Sequence, residues 1–356
     1  MQRAEPAPSL IERLATRIGA GGPLRFSAFM DAALYDDDAG FYAAAIGRAG
    51  RRGDFLTSVE VGPLFGAVLA RAIDRWWDEL GRPSPFAVVD AGAGPGTLAR
   101  AVLAASSECA RAGALDYVAV ELSAAQRANH PGGVTSSATM PSGPVTGIVV
   151  ANELVDNLAF DIAVWDGGWR LATVSWQSGR FVELLAPMPA DLAALVACLP
   201  TDAAHGARAP LAVGAATWLT DALDRLERGR VVLIDYSATT TALAARPWRD
   251  WLRTYRGHER GGHPLVDPGT QDITADVPLD QLASAVRPAD ATSTQAAFLA
   301  RHGIDDLVAE GKRVWAERAH IGDLVAIQAR SRLREHDALT DAAGLGAFTV
   351  AEWIVG

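Results

Sequence analysis

The sequence predicts an α/β fold, a doubly wound parallel sheet with N-terminal helices and an antiparallel β plus helical insertion. Three observations predict it. Residues 88–98, Val-Val-Asp-Ala-Gly-Ala-Gly-Pro-Gly-Thr-Leu, read as a buried strand, a glycine turn and a helix start. That corner binds nucleosides at the carboxyl end of a parallel sheet. Apolar runs ending in an acid recur at 116–121 and 231–235, the pattern of strands covered on both faces. Helical patterns separate these runs, as parallel crossovers require.

Taken in order, Leu10, Ile11, Leu14 and Ile18, with Arg13 and Arg17 beside them, form a first amphipathic helix that ends at the Gly-Ala-Gly-Gly-Pro break of 19–23. A second helix is expected over 27–34 with Ser27 as N-cap. Residues 36–55 read as a loop rich in Gly and Arg. Pro63 then opens a long helix whose apolar residues, from Leu64 to Leu80, recur at helical spacing until Gly81. Strands and helices alternate at 86–90, 98–106, 117–121 and 147–151. Three strands at 161–165, 169–175 and 180–185, joined by Asp-Gly-Gly and Ser-Gly turns, are foreign to a minimal doubly wound sheet and read as an insertion. Helices at 190–199 and 214–228, a parallel strand at 231–236 and a loop-like stretch at 247–275 follow. Helices near 279–285, 295–301 and 303–316 and a terminal edge strand at 348–355 complete the reading.

The glycine corner selects its ligand. A dinucleotide loop wants G-x-G-x-x-G, its N–H groups aimed at a pyrophosphate. Here Gly92, Gly94 and Gly96 give G-x-G-x-G, Thr97 stands where the third glycine should fall, and Pro95 removes a donor. Asp90 at the strand end would repel phosphate and attract a sulfonium or ammonium. Glu121 ends the next strand 31 residues after Asp90, where an acid meets ribose hydroxyls. S-adenosyl-L-methionine fits these features; a dehydrogenase-like corner with degenerate glycines and a turn that binds nothing are the alternatives.

Composition narrows the class. A chain of 356 residues with 49% hydrophobic and 21% charged residues is globular. A net charge of −10 provides no basic surplus for nucleic acid, and the most basic short stretch, 48–52, reads as a solvated loop. Cys109 and Cys198 lie apart with no Cys/His cluster, which points to a reduced compartment without structural zinc. No apolar run is long enough to cross a bilayer and no secretion signal opens the chain. A cytoplasmic protein is expected, with no nucleic-acid or membrane partner and with a homodimer left open. His258 and His263 lack a third ligand, and Asp36-Asp37-Asp38 lacks the bidentate glutamate of a calcium loop. No metal is expected.

Five blocks in order resemble the MidA-like family, bacterial and mitochondrial class I methyltransferases that include a respiratory complex I assembly factor. Residues 53–60, Gly-Asp-Phe-Leu-Thr-Ser-Val-Glu, with Phe65-Gly66, are similar to its GDF-x-TS-P-E…FG signature. Residues 90–98 resemble its glycine loop, and Val120-Glu121-Leu122-Ser123 its ribose-binding strand end. Residues 151–156, Ala-Asn-Glu-Leu-Val-Asp, resemble ANE-x-x-D, and residues 267–277 resemble DPG-x-x-D-[IL]-TA-x-V. The resemblance runs from about residue 26 to the end of the chain. Val59, Leu154-Val155, Asn157, Ala159 and Ser237 depart from the family pattern. The departures gather on the acceptor side and spare the cofactor corner.

The resemblance implies a class I methyltransferase sheet and, for at least one member, protein arginine methylation. The pattern of elements divides the chain into an N-terminal helical/lid region (1–82), a cofactor-binding core (83–160), the antiparallel β and helical insertion (161–229) and the remaining core sheet with acceptor-side loops (230–356). In such a sheet the acceptor meets the methyl group beyond the carboxyl end of the fourth strand, at Asn152-Glu153. Glu153 and Asp156, three residues apart, suit a guanidinium, whose planar fork wants carboxylate partners; alternatively Asp156 caps the next segment. Asn152 is expected to serve both cofactor and acceptor. Glu60 either completes a helix N-terminus or reaches over the glycine corner from a lid, as Asp54 and Thr57 would. The expected cofactor contacts are Asp90, Gly92, Gly94, Gly96, Thr97, Glu121, Leu122, Asn152, Asp54 and Thr57. A protein substrate is expected. A small-molecule or natural-product acceptor, and a cofactor-binding assembly factor without catalysis, remain as alternatives.

Overall fold

The structure, a computed structural model, describes residues 8–42, 57–257 and 259–356. Seven strands form the central sheet: β1 (Phe86–Ala91), β2 (Leu115–Val120), β3 (Thr135–Ser137), β4 (Val145–Asn152), β5 (Leu226–Asp235), β6 (Ala291–Thr294) and β7 (Thr349–Val355). Their order across the sheet is 3-2-1-4-5-7-6. Strands β1 to β5 pair in parallel, and β7 runs antiparallel to both β5 and β6. The expected doubly wound α/β architecture is present, with the antiparallel β7 inserted before its last strand.

Strand alternation feeds two cores. Val88, Ile148, Val150, Val232, Ile234 and Val350 pack against the helix Pro63–Glu79 through Leu64, Phe65, Val68, Leu69, Ile73 and Trp76. Val89, Val149, Ala151, Val231, Leu233 and Ala351 face the opposite way, onto Leu219 and Leu282. Gly66 explains its own place in the sequence. A Cβ there would lie 2.3 Å from the Cβ of Ala101, so the helices Pro63–Glu79 and Thr97–Ala104 touch backbone to backbone.

A third core lies under an antiparallel sheet. Strands Asp161–Trp165, Trp169–Gln177 and Arg180–Ala186 form the expected meander, joined by Arg208–Leu211 and Leu24–Arg25. Leu10, Leu14, Ile18, Phe29 and Met30 pack on this sheet through Ile162, Val164, Ala172 and Val174.

Several expectations are corrected. Ser27 is not the N-cap: the helix runs Phe26–Tyr35 after Arg25, and the Ser27 N–H donates to Asp161 Oδ1 at 3.0 Å. The helix at 190–199 is a 3-10 turn, Ala190–Leu192, followed by Ala193–Val196. The helix expected to 228 ends at Asp224, because β5 already pairs with β4 from Leu226. The stretch 247–275 is not a loop: Leu252–Arg256, Glu259–Arg260 and Asp272–Ala275 form a three-stranded sheet. Its charged residues hide the alternation that buries Leu252 and Thr254. β7 is not an edge strand, since β6 pairs beyond it.

A helix unforeseen in the sequence, Leu324–Thr340, closes the chain's helical part. Its apolar residues follow no stripe, and Leu324, Val325 and Ile327 stay exposed. It is held by the buried Ala326, Ala329 and Leu339 and by the buried Glu335, which accepts the Leu64 N–H at 2.9 Å at the start of the helix Pro63–Glu79.

Candidate functional site

A cavity of about 960 Å³ opens beyond the carboxyl ends of β1, β2, β4 and β5. Its first end is made by backbone. Gly92, Gly94 and Gly96 hold φ of 73°, 53° and 78°, a region that only glycine enters freely. The Gly92 and Ala93 N–H groups donate to Val120 O, both at 2.9 Å, and Gly96 opens the helix Thr97–Ala104. Glu121 pins the turn: Oε2 accepts the Gly94 N–H at 3.0 Å and Oε1 the Ser123 N–H at 2.8 Å. Gly92, Gly94, Thr97, Glu121 and the largely exposed Leu122 all line this end.

Asp90 does not line the cavity. Alternation sends its side chain into the sheet, where Tyr117 donates its hydroxyl at 3.0 Å and burial pushes its carboxyl up to about 7. Asp54 lies outside the described residues, as do the basic stretch 48–52 and His258.

The second end is made by side chains. Glu153 follows β4 with φ 51°, fixed by its N–H to Ile234 O at 2.9 Å. Its Oε1 accepts the Ser58 N–H at 2.7 Å and Asn152 Nδ2 at 3.2 Å, while burial raises the carboxyl to about 7. Asn152 Oδ1 is buried without a hydrogen-bond partner. Asp156 sits in the 3-10 turn Val155–Asn157. Asp235 Oδ2 accepts the N–H groups of Val155 and Asp156, each at 3.1 Å, and so fixes that turn. Burial raises the carboxyls of both Asp156 and Asp235.

Glu60 does not open the long helix. It belongs to a separate short helix, Ser58–Val61, and lines the cavity with Thr57, whose Oγ1 is buried without a partner. The structure therefore brings Thr57, Glu60, Asn152, Glu153 and Asp156 to the same cavity as the glycine loop. Sequence reasoning missed Tyr35, Tyr42, Tyr236, Arg253, Asp272 and Thr274, which line it too. The period-two spacing of 272, 274 and 276 was the available signal.

His263 stacks edge-on against Trp248, and Asp36 pairs with Arg13 and accepts the N–H groups of Asp38 and Ala39. Both are explained by local structure.

Comparison with known proteins follows the same lines. Residues 68–297 match the model of an S-adenosyl-L-methionine-dependent methyltransferase family. The mitochondrial protein arginine methyltransferase NDUFAF7 homologue of Drosophila melanogaster is 27% identical over 312 residues, 76% of this chain and 68% of that protein. Human mitochondrial NDUFAF7 is 30% identical over 98 residues, 28% of this chain and only 22% of its own length. Among solved structures, a COG1565 superfamily protein of Burkholderia thailandensis bound to S-adenosyl-homocysteine is similar with TM-score 0.79 and 29% identity. That similarity covers 98% of this chain and 95% of the other. The resemblance to MidA-like methyltransferases and the choice of cofactor are borne out. The cytoplasmic expectation is overturned, because the named relatives are mitochondrial proteins. Among the described residues no helix is long and apolar enough to cross a membrane.

Proposed function

The chain belongs to the S-adenosyl-L-methionine-dependent methyltransferase family, and from that premise we propose that it methylates an arginine side chain of a partner protein, with Glu153 and Asp156 receiving the guanidinium. S-adenosyl-L-methionine, when bound, supplies a methyl group on a sulfonium that leaves as a neutral thioether. The protein's part is positional, holding the acceptor about 3 Å away and in line.

The residues present suit that cofactor. The left-handed glycines leave backbone open to close approach. Glu121, anchored by two backbone N–H groups, keeps lone pairs for ribose hydroxyls. Asn152 Oδ1, buried and unpartnered, offers an acceptor to the ammonium of the amino-acid end. Thr97 and Leu122 complete this end, Gly96 lies behind it against His130 and Pro131, and Asp90 supports it from within the sheet through Tyr117. Thr57 and Glu60 cover the cavity from the short helix segment.

One observation carries the choice of acceptor. The half-buried Glu153 and the buried Asp156 are carboxylates of a cavity whose described lining holds one cation, Arg253, already paired with Asp276 at 2.8 Å. Buried carboxylates call for a charge partner, and a guanidinium supplies planar donors with a charge that no physiological pH removes. The arginine methyltransferase names of the relatives support the same choice.

The test is transfer of label from methyl-labelled cofactor to proteins extracted from the protein's own source, with the site mapped by mass spectrometry. Methylarginine is expected. Label on oxygen, sulfur or lysine overturns the arginine reading. Label only in small molecules supports the natural-product alternative, and no label with intact cofactor binding supports the assembly factor.

A further inference from the structure

The block at 267–277 has no part in the reading above, yet its strand forms one wall of the cavity. Ile273, Ala275 and Val277 enter the hydrophobic cores, while Asp272, Thr274 and Asp276 line the cavity. Hydrogen bonds load one oxygen of Asp272 and leave the other bare. Its Oδ1 accepts the Tyr42 hydroxyl at 3.1 Å, Asn157 Nδ2 at 3.0 Å and the Ile273 N–H at 2.9 Å. Among the described residues Oδ2 receives no donor.

Asp156 is arranged in the same way. Its Oδ2 accepts the Thr274 hydroxyl at 2.5 Å and the Tyr236 hydroxyl, and its Oδ1 is buried without a partner. Asp276, by contrast, is satisfied by Arg246 and Arg253, each at 2.8 Å. The rings of Tyr35 and Tyr42 stack 5.5 Å apart beside Asp272, 17° from parallel, and make a flat wall.

We propose that Asp272 and Asp156 together form the receiving edge of the acceptor subsite, Asp272 binding a planar cation directly and Thr274 positioning Asp156. The identity of that cation as a guanidinium rests on the arginine reading. Two carboxylates sharing a desolvated cavity repel one another, and a cation between them relieves both. Each carboxylate has one oxygen fixed and one turned free, so donors on different edges of one plane can meet both. The tyrosine wall suits the flat face of the same group.

The test uses the full chain loaded with S-adenosylhomocysteine and three probes: N-acetyl-arginine amide, its neutral citrulline counterpart and N-acetyl-lysine amide, titrated by calorimetry. The arginine probe is expected to bind in preference to citrulline. Asp272→Asn, which keeps Oδ1 as an acceptor, should weaken its binding by roughly tenfold or more. S-adenosylhomocysteine affinity and melting temperature should hold, which shows the variant folded. Thr274→Val should weaken the arginine probe and Thr274→Ser restore it, a rescue that a purely structural role would not give. Unchanged arginine binding in Asp272→Asn overturns the proposal and leaves the arginine reading standing. Preference for the lysine probe overturns both the arginine reading and the planar-cation subsite. If wild type takes up none of the three probes, the subsite is not a cation site and the proposal falls.

Discussion

At the cofactor end of the cavity the contacts come from backbone, in the turn 92–96 braced by Glu121. At the acceptor end they come from side chains drawn from distant stretches: Thr57 and Glu60, Glu153 and Asp156, Tyr236, Arg253, and Asp272 with Thr274. The first end is set by where the chain can bend, so a substitution there acts through conformation. The second is set by charge in a desolvated space, so a substitution there acts through charge and hydrogen bonding. The two ends should therefore fail independently.

The largest separation is expected from Glu153→Gln. Turnover should fall by about 10²–10³-fold, the usual cost of losing one positioned polar group at a reacting centre, while S-adenosylhomocysteine titrates as in wild type. Because burial holds this carboxyl at about 7, wild-type turnover should rise as the pH passes 7, and the variant should lack that limb. Parallel losses in cofactor affinity and turnover would erase the distinction between the two ends.

Gly92→Val should do the reverse. Its Cβ would lie 2.9 Å from Leu154 Cδ1 at φ 73°, and the left-handed backbone alone costs about 1–2 kcal/mol. Cofactor binding should weaken by roughly 100-fold or more when strain and clash combine, read by calorimetry. Glu121→Ala should cost about 1.5–3 kcal/mol of cofactor affinity, the range for a hydrogen bond to a charged group. A variant that titrates as tightly as wild type would remove Glu121 from the ribose.

The smallest effect lies outside both ends and tests whether pH acts on the site alone. His302 is buried between Trp76 and Phe298 with neither ring nitrogen hydrogen-bonded, and burial lowers it to about 3. The unfolded chain takes up its proton near pH 6.5 and the folded chain does not, so stability falls as pH drops from there toward 3. Between pH 7 and 5 wild type should lose about 1–2 kcal/mol more stability than His302→Leu, with equal turnover at pH 7. Equal acid sensitivity in thermal melts would show that this histidine does not carry the effect.

The same contrast explains what could be read from the sequence. The glycine corner is contiguous, so its residues declare their geometry through spacing, and five of the seven sheet strands follow from apolar runs; β3 (Thr-Ser-Ser) and β6 (Ala-Thr-Ser-Thr) are short and polar and carry no such signal. Asp90 misled because an acid at a strand end can point to either face, and only the pairing of β1 with β2 puts Tyr117 over it. Asp272 and Thr274 were hidden because 247–275 is dense in charge, which masks a strand whose polar residues face a cavity rather than water. Helix Leu324–Thr340 was hidden because its buried face is two alanines, Leu339 and the carboxylate of Glu335, while Leu324, Val325 and Ile327 lie exposed, so no apolar stripe announces it.

Glu153 carries a history in its backbone. A non-glycine residue at φ 51° is uphill by about 1–2 kcal/mol relative to a relaxed conformation, and its side chain is a carboxylate that burial pushes up to about 7. Glycine or asparagine would fit that backbone better. A mutant library selected for heat resistance alone should therefore drift to glycine or asparagine at 153, and one selected for methylation should keep glutamate. The position is where durability and activity pull the chain in opposite directions, so any attempt to engineer a hardier form of this protein should leave residue 153 untouched and seek its gains elsewhere.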